Sequence, residues 1–185
     1  MRTALLVLLC TLPMAGCKLS SGNTPAEKRH FIDEEATKTL NELAAADAGL
    51  RQKVDEAPGY AVFSQRGVKI FLAGSENGYG VVIDNKTKKR TYMRMAGLDL
   101  GPGIGLKDYR AVFVFRDAQV LANFVESGWE VGGQAEAAAK YNDKGESAHA
   151  QASGMGITIY RVTDAGIALQ ATVGADKYWK DEDLN

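Results

Sequence analysis

Along the first third of the chain the apolar positions recur every three, four or seven residues, and from Tyr60 onward they recur every second residue. Ile32, Ala36, Leu40, Leu43, Leu50 and Val54 form the first set, with charged residues between them. That spacing predicts an amphipathic helical segment. Thr24-Pro25 supplies an N-cap and first turn, Gly49 is a candidate break, and Pro58-Gly59 ends the segment. In the second part, residues 61–63 and 68–72 read as two strands. Residues 79–83 and 91–95 read as a hairpin around a turn at 85–89. Residues 111–115, apolar on both faces, read as a covered central strand. Asp117 then caps a short helix carrying Val120, Leu121, Phe124 and Val125 on one side. With Gly128 as its C′ residue, Trp129 can pack on Phe124. Ile157 and Ile159, followed by Ile167, Leu169, Ala171 and Val173, form a last alternating pair, and residues 135–153 read as an irregular strand and loop. The pattern predicts one α+β domain. Its sheet is curved and mostly antiparallel, closing toward a barrel, with the amphipathic helical segment at the N-terminus and one short helix.

The first residues follow a different pattern. Arg2 precedes an apolar run over 4–12, and small residues lead to Cys17. This is the layout of a secretory signal, and its apolar run is far shorter than the roughly 20 residues needed to cross a bilayer. The ending Leu12-Pro13-Met14-Ala15-Gly16-Cys17 resembles a bacterial lipobox. By that resemblance residues 1–16 are removed and Cys17 carries the lipid. Residues 17–25 are then a polar tether, and residues 26–185 are the domain. The expected location is the cell envelope, outside the cytoplasm. Lys18 after the modified cysteine favours the outer membrane, facing the periplasm.

Composition narrows the chemistry. Cys10 leaves with the signal, so no disulfide forms within the mature chain and the core alone must hold the fold. Loss of Arg2 leaves 21 basic and 23 acidic side chains, which is not the signature of a nucleic-acid binder. The two histidines, His30 and His149, have no partner at a metal-ligand spacing, and no nucleophile elbow or Walker loop is present. Gly101-Pro102-Gly103-Ile104-Gly105 is followed by a strand rather than a helix, which argues against a phosphate loop. No enzyme, metal site or cofactor is expected. Gly97, Gly101, Gly103 and Gly105 share one face of a strand. Either a ligand approaches that face, or an aromatic such as Tyr60, Phe71 or Tyr92 lies over it.

Three runs, Gly78-Tyr79-Gly80-Val81-Val82-Ile83, the glycine run 97–105 and Tyr109-Arg110-Ala111-Val112-Phe113-Val114-Phe115, together resemble the SYLF domain. Pro58-Gly59-Tyr60-Ala61-Val62-Phe63, Gly128-Trp129-Glu130-Val131-Gly132 and the closing run 166–174 extend the likeness over roughly residues 40–179. Ser64-Gln65-Arg66-Gly67 departs from it, standing where the family has a Pro-containing turn. The resemblance implies a lipid-binding domain without catalytic activity, whose partners are membrane phospholipids. Eukaryotic members also bind actin filaments, which is not expected in a bacterial envelope. The residues add a physical handle. Lys86, Lys88, Lys89 and Arg90 cluster at a hairpin turn, with Arg94 close behind, and are the expected contacts for anionic headgroups. A structural or protein-interaction role in the envelope is the alternative, with the lysines then a solvated turn that discourages edge pairing.

Overall fold

The computed structural model describes residues 21–46, 48–100, 104–131, 156–163, 166–169 and 175–185. The order is α1 (Pro25–Ala46), α2 (Ala48–Glu56), β1 (Gly59–Ile70), β2 (Ala73–Asp84), β3 (Arg90–Leu100), β4 (Gly105–Phe115), α3 (Ala118–Ser127), β5 (Trp129–Val131), β6 (Ile157–Thr163), β7 (Gly166–Leu169) and β8 (Ala175–Lys180). The strands make one sheet in the order β5-β8-β3-β2-β1-β4-β6-β7, antiparallel at every junction and curled into a half-barrel. The α+β class and the N-terminal helical segment agree with the sequence expectation.

α1 starts where the sequence placed it, because Thr24 and Glu27 satisfy each other's end of the helix. The Glu27 amide donates to Thr24 Oγ1 at 3.2 Å, and the Thr24 amide donates to Glu27 Oε2 at 3.1 Å. α1 ends at Ala46 and α2 begins at Ala48, so Gly49 sits inside α2. α1 crosses the strands instead of following them. Asp33 meets Arg90 and Tyr92 on β3, and nine residues later Glu42 meets Arg110 on β4.

Alternation along the strands divides the interior in two. On the outer face, Val62, Val81, Tyr92, Val112 and Tyr160 pack under Ile32, Ala36, Leu40, Leu43 and Val54. The apolar stripe of α1 is spent on this contact. Inside the curl, Phe63, Phe113, Phe115, Met93 and Met95 pack with Leu121 and Phe124 of α3 and with Tyr178. Gly80 is required here: the Phe63 ring lies across it, and a side chain at that position would strike both the ring and the Val62 carbonyl. Phe63 thus lies over Gly80, which is outside the expected glycine set. Tyr60 and Tyr92 share the outer face with Val62 and Val81, and Phe71 is at the sheet's end. The expected glycine face is not one strand: Gly97 lies on β3 and Gly105 begins β4, where an added side chain would meet nothing within 4 Å, and residues 101–103 lie outside the described residues.

Two strand expectations change. The segments read as separate strands at 61–63 and 68–72 belong to one strand that ends at Ile70, with residues 71 and 72 in the turn that follows. Residues 64–67, including the departure from the family pattern, run straight through its middle, paired to β2 on one side and β4 on the other. β8 went unread, yet it lies between β3 and β5 and contributes Tyr178 to the inner core. α3 agrees in detail. The Val120 amide donates to Asp117 Oδ1 at 2.9 Å, and Phe124 lies 6.0 Å from Trp129. Gly128 has positive φ but an extended ψ of −169°, so the chain passes directly into β5 rather than closing a Schellman turn. Residues 135–153 and positions 171 and 173 lie outside the described residues.

Candidate functional site

The β2–β3 turn holds the expected cationic residues. Asp84 organises it: its Oδ1 accepts the amides of Lys86 and Thr87, each at 2.8 Å, and those bonds draw its carboxyl below the ordinary value, Thr87 contributing most. Lys88 adopts a positive φ of 60°, and its amide returns to the Asp84 carbonyl. Asn85 ties the turn to α2, donating to the Val54 and Ala57 carbonyls at 2.8 and 2.9 Å. Lys86, Lys88 and Lys89 project from this fixed backbone, exposed and in no ion pair among the described residues.

The two arginines are placed differently. Arg90 reaches Asp33 of α1 at 2.5 Å, and the Tyr92 hydroxyl donates to the same carboxylate oxygen at 3.0 Å. Burial, then the bond to Asp33, raises the Tyr92 pKa. Arg94 pairs with Asp181 at 3.2 Å. Asp181 belongs to a C-terminal latch in which Asn185 both donates to the Tyr92 carbonyl and accepts from its amide. The sequence grouped five cations, and the structure separates them into three free lysines and two arginines that fasten α1 and the C-terminus to β3.

Beside this turn, α3 leaves a cleft of about 230 Å³ over β2 and β3. Val82, Leu121 and Val125 line it, with Lys89 and Glu126 among its polar lining residues. His30 is exposed and pairs with Glu34, and His149 lies outside the described residues. No group of three metal-binding side chains occurs among the described residues, and none of their helices is long and apolar enough to cross a membrane.

The opposite end of the sheet went unnoticed in the sequence. There the usual alternation is reversed. Val68 is 50% exposed and Ile70 61%, while Lys69 between them is 8% exposed. Gln65, Glu76 and Asp176 are buried at the same end. Gln65 Nε2 donates to the Tyr178 hydroxyl at 3.3 Å, joining this polar layer to the aromatic core. Outward, Val68 stands in register with Leu106, and through Ser75 with Leu98, all three exposed. Phe71, Leu72 and Ile104 complete the set beyond the strand ends. A pattern of alternation alone could have drawn attention here, because Val68-Lys69-Ile70 places a charge where the inner face must be.

Beta cell expansion factor A of Aeromonas veronii is 36% identical over 170 residues, covering 87% of this chain and 60% of the relative. The chain thus spans about three fifths of that protein's length. No family model matches the chain.

Proposed function

We propose that this chain is a lipid-binding module of SYLF type, without catalytic activity, held at the cell envelope by a lipid on Cys17, and that its β2–β3 turn contacts anionic phospholipid headgroups. The observation that carries the reading is the uncompensated exposure of Lys86, Lys88 and Lys89 on a turn whose backbone is already fixed. A fixed turn loses little conformational entropy on binding, and each lysine near an anionic surface contributes about 1 kcal/mol. Attraction falls off within a Debye length of about 8 Å at physiological salt, so the turn must come close to the surface. Attachment through Cys17 keeps it within reach, the tether contributing a high effective concentration. The outer membrane, facing the periplasm, is the location this reading favours.

The test is co-sedimentation of the mature Cys17→Ser chain with vesicles. Binding to phosphatidylglycerol vesicles that weakens with salt, and is lost when Lys86, Lys88 and Lys89 are changed to Glu, is the expected result. Equal binding by the triple variant removes the headgroup site and leaves an envelope protein-interaction module as the better reading.

A further inference from the structure

We propose that the end of the sheet formed by the β1–β2 turn and the facing ends of β3 and β4 inserts into the hydrocarbon region of a lipid bilayer. This rests on the membrane reading above but on none of its residues, and it invokes different physics. Strands in contact with lipid place polar side chains inward and apolar side chains outward, the reverse of a water-soluble sheet. That reversal is what the end displays: Lys69, Glu76 and Gln65 face the inside of the curl and are buried, while Val68, Ile70, Leu98 and Leu106 face outward. The reversal is local. Toward the middle of the same strands Val62, Val81 and Val112 turn outward under α1, a conventional core.

The boundary between the two regimes is marked. One step inward from the Val68–Leu106 pair lies the Arg66–Asp108 pair, an exposed salt bridge at 3.1 Å, with exposed Asn77 beside Arg66 on β2. From Val68 to the turn at Phe71 is three residues, about 10 Å of strand. That matches the roughly 5–10 Å by which interfacial segments sink to the headgroup and acyl boundary. From Gly67 to Ser75 the only charged residue is Lys69, which is buried, and the facing ends of β3 and β4 bring Asp99 into register with Gly74 and Lys107 into register with Gly67.

The turn itself adds an independent observation. Ile70 pairs with Ala73, leaving a two-residue loop of Phe71 and Leu72. Phe71 has a φ of 57° and is 70% exposed. Glycine or asparagine is the usual occupant of such a position, and a bulky aromatic there is an outlier. Strain of this kind persists where function requires it. Here it holds a large apolar ring at the extreme of the molecule, against both folding preference and water.

The chain preceding the domain fits the same membrane. The eight residues from Cys17 to Thr24 reach on the order of 25 Å when extended. α1 crosses β2 where Phe31 packs on Tyr79, in register with Ser64. Seven residues of β1 separate Ser64 from Phe71, or about 23 Å. A lipid on Cys17 and the Phe71 turn can therefore sit in one bilayer.

Phe71→Asn separates the proposal from misfolding, since asparagine suits a positive φ. In the mature Cys17→Ser background it is expected to raise the melting temperature while lowering affinity for neutral phosphatidylcholine vesicles roughly tenfold or more, the scale of one buried aromatic side chain. Because that background has no other cysteine, Phe71→Cys and Thr87→Cys each carry a single polarity-sensitive fluorophore. With neutral vesicles at high salt, the label at 71 should shift to the blue and be quenched by spin labels on the acyl chains, while the label at 87 should do neither. A label at 71 that remains water-exposed on sedimented vesicles overturns the proposal. So does unchanged vesicle affinity in Phe71→Asn, or a lipid-free dimer that Leu106→Asp dissociates, which would make this end an interface between copies. Loss of binding in the lysine variant on anionic vesicles alone bears only on the headgroup site.

Discussion

The two ends of the β1–β2 ribbon present opposite chemistries to their surroundings. The β2–β3 end is a cationic turn whose backbone is stitched by Asp84 and Asn85 in conformations these residues favour. The other end is an apolar turn whose first loop residue is an aromatic in a conformation it disfavours. Some 35 Å of strand separates them, so inserting one end-on lifts the other well clear of the surface. The comparison teaches how each contact is to be recognised. The cationic end acts at a distance and is screened by salt, whereas the apolar end acts only on contact and is indifferent to salt.

The most disruptive test removes the rigid body that keeps the ends apart. Phe63 touches Phe113, Phe124 and Tyr178 with ring centres 4.8–6.3 Å apart. Phe63→Ala should cost about 3–5 kcal/mol in chemical denaturation and abolish both modes of binding. Next in size, Lys86, Lys88 and Lys89 changed together to Glu should remove the salt-sensitive component on anionic vesicles, about 3 kcal/mol at about 1 per lysine, without altering neutral-vesicle binding. Stability should stay within about 0.5 kcal/mol, as for other exposed sites. Arg90→Glu should behave otherwise. It sets a second carboxylate against Asp33, whose Oδ1 is buried without a hydrogen-bond partner among the described residues. A loss of about 1–3 kcal/mol is expected in denaturation, and amide exchange should quicken along the first half of α1. If Arg90→Glu left stability unchanged and weakened only lipid binding, the division between free lysines and fastening arginines would be wrong.

The smallest effect is one of pH. The Asp84 carboxyl lies below its ordinary value because the ionised form accepts the Lys86 and Thr87 amides. Its contribution to the turn is complete above the ordinary carboxylate value and is lost as pH falls through the lowered folded-state value. Chemical shifts of the Lys86 and Thr87 amides should report that midpoint, and Asp84→Asn should flatten the titration.

Local signals were legible in the sequence. The Ile32-Ala36-Leu40-Leu43 stripe, the Thr24 cap, the Asp117 cap and the turn at 85–89 each depend on residues within a few positions of one another. What escaped depends on distance or on surroundings. β8 sets a single deeply buried Tyr178 among Asp176, Lys177, exposed Trp179 and Lys180, so it has no apolar alternation of its own and exists through pairing with β3 and β5. The separation of Arg90 and Arg94 from the lysines depends on Asp33 and Asp181, far away in the chain. The apolar end was read as an ordinary strand because pattern reading assumes that apolar means inside. Lys69 is where that assumption fails.

β1 also has a mechanical consequence. Every residue from Gly59 to Ile70 has a partner on β2, and every one up to Lys69 has a partner on β4. A pull on the Phe71 turn along the strand axis loads these two ladders in shear, so the bonds share the force and must yield together instead of one at a time. Peeling β7, which among the described residues is paired on one side and through four residues, would load its bonds in sequence. Under tension, the molecule would hold fast at the turn and give way first at its edge.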